Sequence, residues 1–261
     1  MKKTLQFYFA LLGTSIRASM ALRGAFLIES GLMLANNMIF FSIWWIFFNQ
    51  FRTVGGWQIR DMTALLAIGS GAYGLLQICF GGTRQLAKTI LSGDLDSYLT
   101  QPKNVLLHIA GSKSANKGWG HLMTSFLLIF FGGLTEPRTL CLVLVSLVTG
   151  CMVYTSFRVI VHSLTFWLGP IESLSEKYAD SLFLFALYPT NIYSGLMQLL
   201  MFTLLPAGII TYLPVEMIRD FSLEKLIVLL LSASCFPFLA FFVFYKGLRH
   251  YESGNRFASR I

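Results

Sequence analysis

Six stretches of this chain are each long and apolar enough to cross a lipid bilayer as an α-helix, and no other feature constrains its fold as strongly. A helical crossing needs ~20 mostly apolar residues. The stretches lie at residues 25–48, 63–80, 105–131, 139–168, 190–212 and 225–245. Only 12% of the 261 residues are charged, against about a quarter in soluble proteins. The sequence therefore predicts an all-α integral membrane protein with six spans in one transmembrane domain, 1–261. Little chain remains for a soluble catalytic domain.

The distribution of Lys and Arg predicts the orientation of these spans. With six spans both termini lie on one side, and that side holds 14 basic residues against five on the other. Because basic loops stay in the cytoplasm, both termini are expected there, with the protein in the cytoplasmic (inner) membrane. The net charge of +8 is explained by this orientation, so no nucleic-acid partner is predicted.

Residues 1–24 precede the first span and have an amphipathic helical pattern. Leu5, Phe9, Leu12, Ile16 and Met20 fall along one face of a helix. This pattern predicts an interfacial helix that lies on the membrane surface and leads into the first span.

The longest segment outside the membrane is predicted at 81–118, because the front half of the third stretch carries Lys113, Asn116 and Lys117. The hydrocarbon part of the third span is expected to begin near Trp119, an aromatic interfacial anchor.

An amphipathic surface helix is predicted within 81–118. Leu86, Ile90 and Leu91 share one face, and Arg84 and Lys88 lie on another. Gly93 permits a break, after which Asp94 or Asp96 is placed to cap a second short helix. Two interpretations stay open, a connector on the membrane surface and a docking surface for a second protein.

Residues 93–102 read GDLDSYLTQP, which gives the motif G-x-L-D-x-x-L-x-x-P. The motif resembles the cytoplasmic loop after the second span in type-2 ABC transporter permeases, the membrane subunits of ABC exporters. Residues 22–26 resemble the entry to the first span in that family. A run of aromatic residues and prolines around the fifth stretch is similar to one poorly characterised branch of it. The run consists of Tyr188-Pro189, Tyr193, Pro206 and Pro214.

This resemblance implies a half-transporter that pairs with an identical or homologous second permease and with two ABC ATPase subunits. ATP and Mg²⁺ are then expected on the ATPase subunits, with no cofactor in this chain. The resemblance also implies that two cytoplasmic segments contact the ATPase, 81–118 and 170–189. The residues implied in ATPase coupling are Gly93, Leu95, Asp96, Leu99 and Pro102 in the first segment, and Glu172 and Glu176 in the second. Glu172, Glu176 and Asp180 repeat every four residues, which a solvated helix face explains equally well.

Motifs for enzymatic chemistry are not found in the sequence. The phosphate-binding pattern G-x-x-x-x-G-K-[ST] is missing, and the nearest fragment, 111–114, lacks the upstream glycine. The four histidines form no H-E-x-x-H motif, and neither they nor the four cysteines have the spacing of metal ligands. The chain is therefore predicted to be neither an enzyme nor a metal protein.

Polar residues inside the predicted spans are candidates for a transport pathway or for hydrogen bonds between helices, and the second role is favoured. They are Asn36, Asn37, Gln77 and Gln198. Glu29 and Arg158 are both expected near the inner interface, where we predict that they form an ion pair.

Two prolines are expected to shape the fifth span. Pro206 falls inside the stretch and removes a backbone hydrogen bond, which predicts a kink and a possible gate. Pro214 is predicted to end that helix.

The function best supported by the sequence is that of an ABC exporter permease working by alternating access at a permease dimer interface. The 24 phenylalanines suit a hydrophobic or amphipathic substrate. The alternatives are a secondary carrier or channel, which would show internal repeats and charges at the membrane midplane, and a membrane scaffold that transports nothing.

Overall fold

The fold is built from helices throughout the part of the chain that the structure describes. This computed structural model describes residues 2–253, in which the only β pairing is an isolated bridge between Val54 and Trp57. The helices are α1 (Lys2–Met20), α2 (Arg23–Phe51), α3 (Ile59–Cys79), α4 (Leu86–Leu91), α5 (Leu95–Leu99), α6 (Val105–Gly111), α7 (Lys117–Phe131), α8 (Pro137–Ser163), α9 (Thr165–Leu168), α10 (Glu172–Ala186), α11 (Leu196–Leu200), α12 (Leu213–Arg219) and α13 (Leu223–Leu248). Short 3₁₀ turns occupy Gly81–Gln85 and Thr190–Ile192, and a π-helical turn occupies Gly208–Tyr212. The all-α prediction is confirmed over these residues.

Four helices in residues 2–253 are long and apolar enough to cross a membrane. They are α2, α3, the run of α8 and α9 over Pro137–Leu168, and α13. They lie within a few residues of the first, second, fourth and sixth predicted spans. The apolar stretch of α3 is 89% buried, against 11% for α2 and 17% for α13. The helix α3 is therefore the centre of the bundle, while α2 and α13 lie at its edge.

Small residues on α3 allow its neighbours to approach closely. A Cβ added at Gly74 would lie 2.8 Å from the backbone oxygen of Gly118 in α7, and one added at Gly118 would lie 2.9 Å from the oxygen of Gly74. Glycine is needed at both positions because the two backbones are in direct contact, as is common between membrane helices.

The third predicted span is shorter than expected. The stretch 105–131 divides into α6 and α7, and residues 112–116 separate the two helices. The 15 residues of α7 extend only ~22 Å, which is less than the ~30 Å hydrocarbon thickness of a bilayer. The break between α6 and α7, at residues 112–116, lies just before Trp119, where the third span was predicted to begin.

The prediction of a fifth span at residues 190–212 is wrong, because these residues do not form one helix. The helix α10 runs from Glu172 to Ala186, and the chain then leaves the bundle and returns as the π-helical turn and α12. The Thr211 hydroxyl donates to the backbone oxygen of Ala186 at 2.9 Å, so the helix resumes beside the point where it stopped. Two prolines that cannot donate a backbone hydrogen bond, Pro189 and Pro206, flank this interruption.

The prolines of this region act differently from the prediction. Pro206 is buried just before the π-helical turn and does not kink a continuous helix. Pro214 stands in the first turn of α12 and does not end a helix, because the helix continues to Arg219. The π-helical turn runs into α12 without a break, so Pro214 lies inside a continuous helical run, two residues after the π-helical turn.

The two ends of the bundle differ in what covers them. One end, called the terminal end here, holds α1, residues 81–116, the start of α10 and the last described residues. At this end Tyr8 donates to the backbone oxygen of Cys79 at 2.7 Å, and Ser15 donates to that of Gly111 at 2.8 Å. The opposite end has only the short connections 52–58, 132–136 and 220–222.

Candidate functional site

The segment that joins α3 to α7 at the terminal end is packed tightly onto the bundle. Residues 81–111, called the coupling segment here, contain the 3₁₀ turn, α4, α5 and α6. Their apolar side chains form one cluster with residues of α8 and α13. The cluster consists of Leu86, Ile90, Leu95, Val105, Ile109, Val159, Ala240 and Phe244. Burying a large aliphatic side chain stabilises by ~1.5–3 kcal/mol, so this cluster holds the segment firmly on the two spans.

The local pattern of the coupling segment matches the expected amphipathic helix. Leu86 and Ile90 are buried, whereas Arg84 and Lys88 are exposed. Gly93 has a φ of +80°, a value that glycine adopts without strain. This residue separates helix α4 from helix α5. Asp94 stands at the start of α5, but its carboxylate accepts a hydrogen bond from the Ser92 hydroxyl and does not cap the helix.

The five residues implied in ATPase contact by the G-x-L-D-x-x-L-x-x-P motif do not share one surface. Leu95 is fully buried in the cluster, so it supports the segment from below. Leu99 is 40% exposed and Pro102 is also exposed. The exposed face of the motif is therefore formed around Leu99, the last residue of α5, and Pro102, which follows the helix.

The last described residues are attached to the same motif. The Tyr251 hydroxyl donates to the backbone oxygen of Gly93 at 3.1 Å, and the Ser253 hydroxyl donates to the Asp96 carboxylate at 2.7 Å. Burial, together with the nearby Asp96 carboxylate, raises the pKa of Tyr251 to about 12, so this hydroxyl keeps its proton. The chain beyond α13 therefore binds the start of α5.

A network of four charged side chains and one tyrosine joins the coupling segment to three other helices. We call Tyr73, Arg84, Arg158, Glu176 and Asp180 the Asp180 network. From the 3₁₀ turn, Arg84 Nε donates to Glu176 Oε1 at 2.8 Å, and Arg84 Nη2 lies 3.3 Å from Asp180 Oδ2. From α8, Arg158 Nη2 lies 3.1 Å from Asp180 Oδ1, and the Tyr73 hydroxyl of α3 donates to the same oxygen at 3.0 Å.

Arg158 is the residue that makes this network important for stability. Its side chain is only 3% exposed, whereas that of Asp180 is 35% exposed. Arginine stays charged in proteins, so a buried guanidinium needs a fixed negative partner. Removing one partner of a buried pair typically costs ~3–5 kcal/mol, because the other charge is left without compensation.

The predicted ion pair between Glu29 and Arg158 is therefore not formed. Arg158 binds Asp180, and Glu29 is exposed on α2. The error has a clear cause, because the fifth span was predicted to begin at residue 190. That boundary left Asp180 in a cytoplasmic loop, although α10 places it directly beside α8.

The other residues implied in ATPase contact, Glu172 and Glu176, begin α10. The Glu176 carboxylate accepts a hydrogen bond from Arg84. Glu172 lies in the first turn of α10, and its side chain is half-buried. The acidic stripe is thus in part an internal contact between the two segments that were predicted to be cytoplasmic. Spacing alone shows the stripe but gives no sign of its arginine partner.

Polar residues inside the spans are distributed between helix contacts and the outer surface. Asn37 Nδ2 donates to the Thr124 hydroxyl at 3.0 Å and lies 3.1 Å from His121 Nδ1, so Asn37 joins α2 to α7. Gln77 is buried in α3. Asn36 and Gln198 are exposed, on α2 and α11 respectively. Of these four residues, Asn37 shows the favoured role, a hydrogen bond between helices.

Comparison with protein families decides what kind of protein this is. The family described as ABC-2 family transporter protein matches residues 32–255. The chain belongs to the ABC-2 transporter family. No curated protein and no solved structure matches it.

Membership of the ABC-2 transporter family confirms the resemblance found in the sequence and gives the chain its general role. It is a multi-pass membrane protein and a permease component of an ABC transporter. ABC-2 permeases are membrane transport components and work with an ABC ATPase subunit. The matched range contains the whole coupling segment and all five residues of the Asp180 network.

Proposed function

We propose that the chain is the permease subunit of an ATP-driven exporter in the cytoplasmic membrane, with both termini in the cytoplasm. Two ABC ATPase subunits bind at the terminal end. A second permease, identical or homologous, completes the pathway. The cargo is hydrophobic or amphipathic, and it crosses by alternating access at the interface between the two permeases.

The observation that carries this proposal is the attachment of the coupling segment to the spans. Its apolar face is buried against α8 and α13, and Arg84 binds α10 through Glu176 and Asp180. A push on the exposed face around Leu99 cannot move the segment alone without exposing this cluster and separating these charges. Movement of an ATPase at this face is therefore transmitted to α8, α10 and α13.

The interruption between α10 and the π-helical turn is the proposed gate, with Pro206 at its end. Residues 187–207 lack a continuous helix, so the two parts of the fifth crossing can tilt relative to each other at low cost. Several large apolar side chains of this segment are exposed, including Ile192, Leu196 and Leu204. They suit a surface that faces lipid or the second permease.

The docking part of the proposal is tested by Leu99→Asp in the permease co-expressed with its ABC ATPase subunit. The change places a charge on the exposed face and leaves the buried cluster intact. We expect loss of co-purification with the ATPase and loss of ATP hydrolysis by the complex, with an unchanged melting temperature of the permease.

Thr135→Asp is the matched control. Thr135 is exposed in the connection 132–136, at the opposite end of the bundle. This variant is expected to assemble and hydrolyse ATP like the wild type. If Leu99→Asp also assembles and hydrolyses ATP normally, the ATPase does not dock at this face.

A further inference from the structure

A lipid-facing groove runs along the side of the bundle between α6, α8 and α13. Its volume is about 310 Å³, and its lining is almost entirely apolar. The residues that shape it are Leu106, Leu107, Met152, Val159, Pro237 and Phe241. Because α8 and α13 are both long enough to span a membrane, this groove opens toward the hydrocarbon of the bilayer.

A second, open hollow of about 410 Å³ lies next to this groove along α13, toward the terminal end. Phe241 borders both, and the hollow ends at Lys246 in the last turn of α13 and at Arg249, the residue after that helix. Lys246 is nine residues after Pro237, which corresponds to ~14 Å along the helix. That length is close to half of the ~30 Å hydrocarbon thickness, the depth of one leaflet.

The terminal end of this hollow carries positive charge from Lys246 and Arg249. Within residues 2–253 neither Lys246 nor Arg249 has an ion pair within 4.0 Å, whereas Arg84, Arg158, Arg219 and Lys225 each have one. Both side chains are exposed, and Lys246 Nζ lies 5.9 Å from the centre of the Phe242 ring. Basic groups in this position, at the end of a span, suit an anionic headgroup.

We propose that this groove binds one anionic phospholipid, whose phosphate lies against Lys246 and Arg249 and whose acyl chain lies between α6, α8 and α13. The wall of the groove joins the coupling segment to the last span. Leu106 of α6 lines the groove, and both Leu106 and Tyr245 of α13 pack against the apolar cluster that holds the coupling segment on the spans. The bound lipid therefore strengthens the attachment of the coupling segment to α13.

The test uses the purified chain in a non-ionic detergent and measures its melting temperature. The protein is titrated with dioleoylphosphatidylglycerol, with dioleoylphosphatidylcholine and with inorganic phosphate. We expect a rise in melting temperature with the phosphatidylglycerol only. Lys246→Gln combined with Arg249→Gln should weaken the apparent affinity ~25-fold, at about fivefold for each basic residue removed.

Lys177→Gln is the matched control, since Lys177 is an exposed basic residue on α10 away from the groove. It should bind phosphatidylglycerol like the wild type. Met152→Trp fills the apolar part and should weaken binding with both charges still in place.

Each of three results would overturn the proposal. An equal response to phosphatidylcholine would show that charge is not recognised, and an equal response to phosphate would show an adventitious ion only. Unchanged affinity in the double glutamine variant would place the lipid elsewhere. None of these measurements needs the ATPase, so their outcome is independent of the proposed exporter function.

Discussion

The two ends of the helix bundle hold their charged residues in different ways. At the terminal end Arg158 is 3% exposed and pairs with Asp180 at 3.1 Å. At the opposite end Arg219 is 35% exposed, pairs with Glu216 at 3.0 Å, and lies 3.8 Å from Asp61. The pair at the opposite end can separate into water at little cost, because exposed ion pairs contribute only ~0–1 kcal/mol. The helices of the terminal end cannot separate so easily.

The same contrast appears in the connections between the helices. The terminal end carries the coupling segment, which is docked through a buried apolar cluster. The opposite end is closed by short connections and one arginine that donates to the backbone oxygen of Gly56 at 2.9 Å. In the proposed function, a displacement at the terminal end therefore passes to several helices together.

The largest expected effect comes from Asp180→Asn, which leaves the buried Arg158 without a negative partner. We expect a loss of about 3 kcal/mol in the free energy of unfolding. This is the low end of the range for broken buried pairs, because Asp180 itself is about one third exposed. Titration with a denaturing detergent in mixed micelles measures the change.

Two further variants make this prediction specific. Adding Arg158→Gln to Asp180→Asn removes the uncompensated charge, so the double variant should lose less stability than the two single variants combined. Glu29→Gln should change stability by less than ~0.5 kcal/mol, as expected for an exposed position. Equal losses in Asp180→Asn and Glu29→Gln would mean that Arg158 does not depend on Asp180.

A smaller effect is expected at the opposite end from Arg219→Gln. The substitution removes an exposed charge and keeps a group that can still donate to the Gly56 oxygen. The free energy of unfolding should fall by ~1 kcal/mol or less in the same titration. A loss as large as that of Asp180→Asn would contradict the contrast between the two ends.

Much of the fold could be predicted from apolar length alone, because hydrocarbon requires helices of about 20 residues. The helices α2, α3, α8 with α9, and α13 lie near the predicted positions. The structure around the fifth predicted span could not be predicted in this way. The segment 187–207 is rich in Leu and Met, so its composition hides the interruption, and the whole of α10 was assigned to the cytoplasmic segment 170–189.

The candidate site could be predicted in part. The pattern of Leu86, Ile90, Arg84 and Lys88 showed an amphipathic helix, and Arg158 stood out as a charge inside a span. The partner of Arg158 could not be found, because it depends on how α10 packs against α8. The burial of Leu95 could not be predicted for the same reason. A sequence motif gives the spacing of its residues but does not show which of them pack against the bundle.

The most direct test of the central claim measures whether the coupling segment and α10 move as one body. Spin labels at Thr100→Cys and Leu174→Cys would report this distance in the complex assembled with its ATPase subunits, after replacement of the four native cysteines. Both positions are exposed, one beside the motif surface and one in the first turn of α10. The account predicts the same distance with and without ATP in the wild type, and a distance that changes with ATP in Arg84→Gln. A distance that changes with ATP in the wild type, or no change in Arg84→Gln, would contradict it.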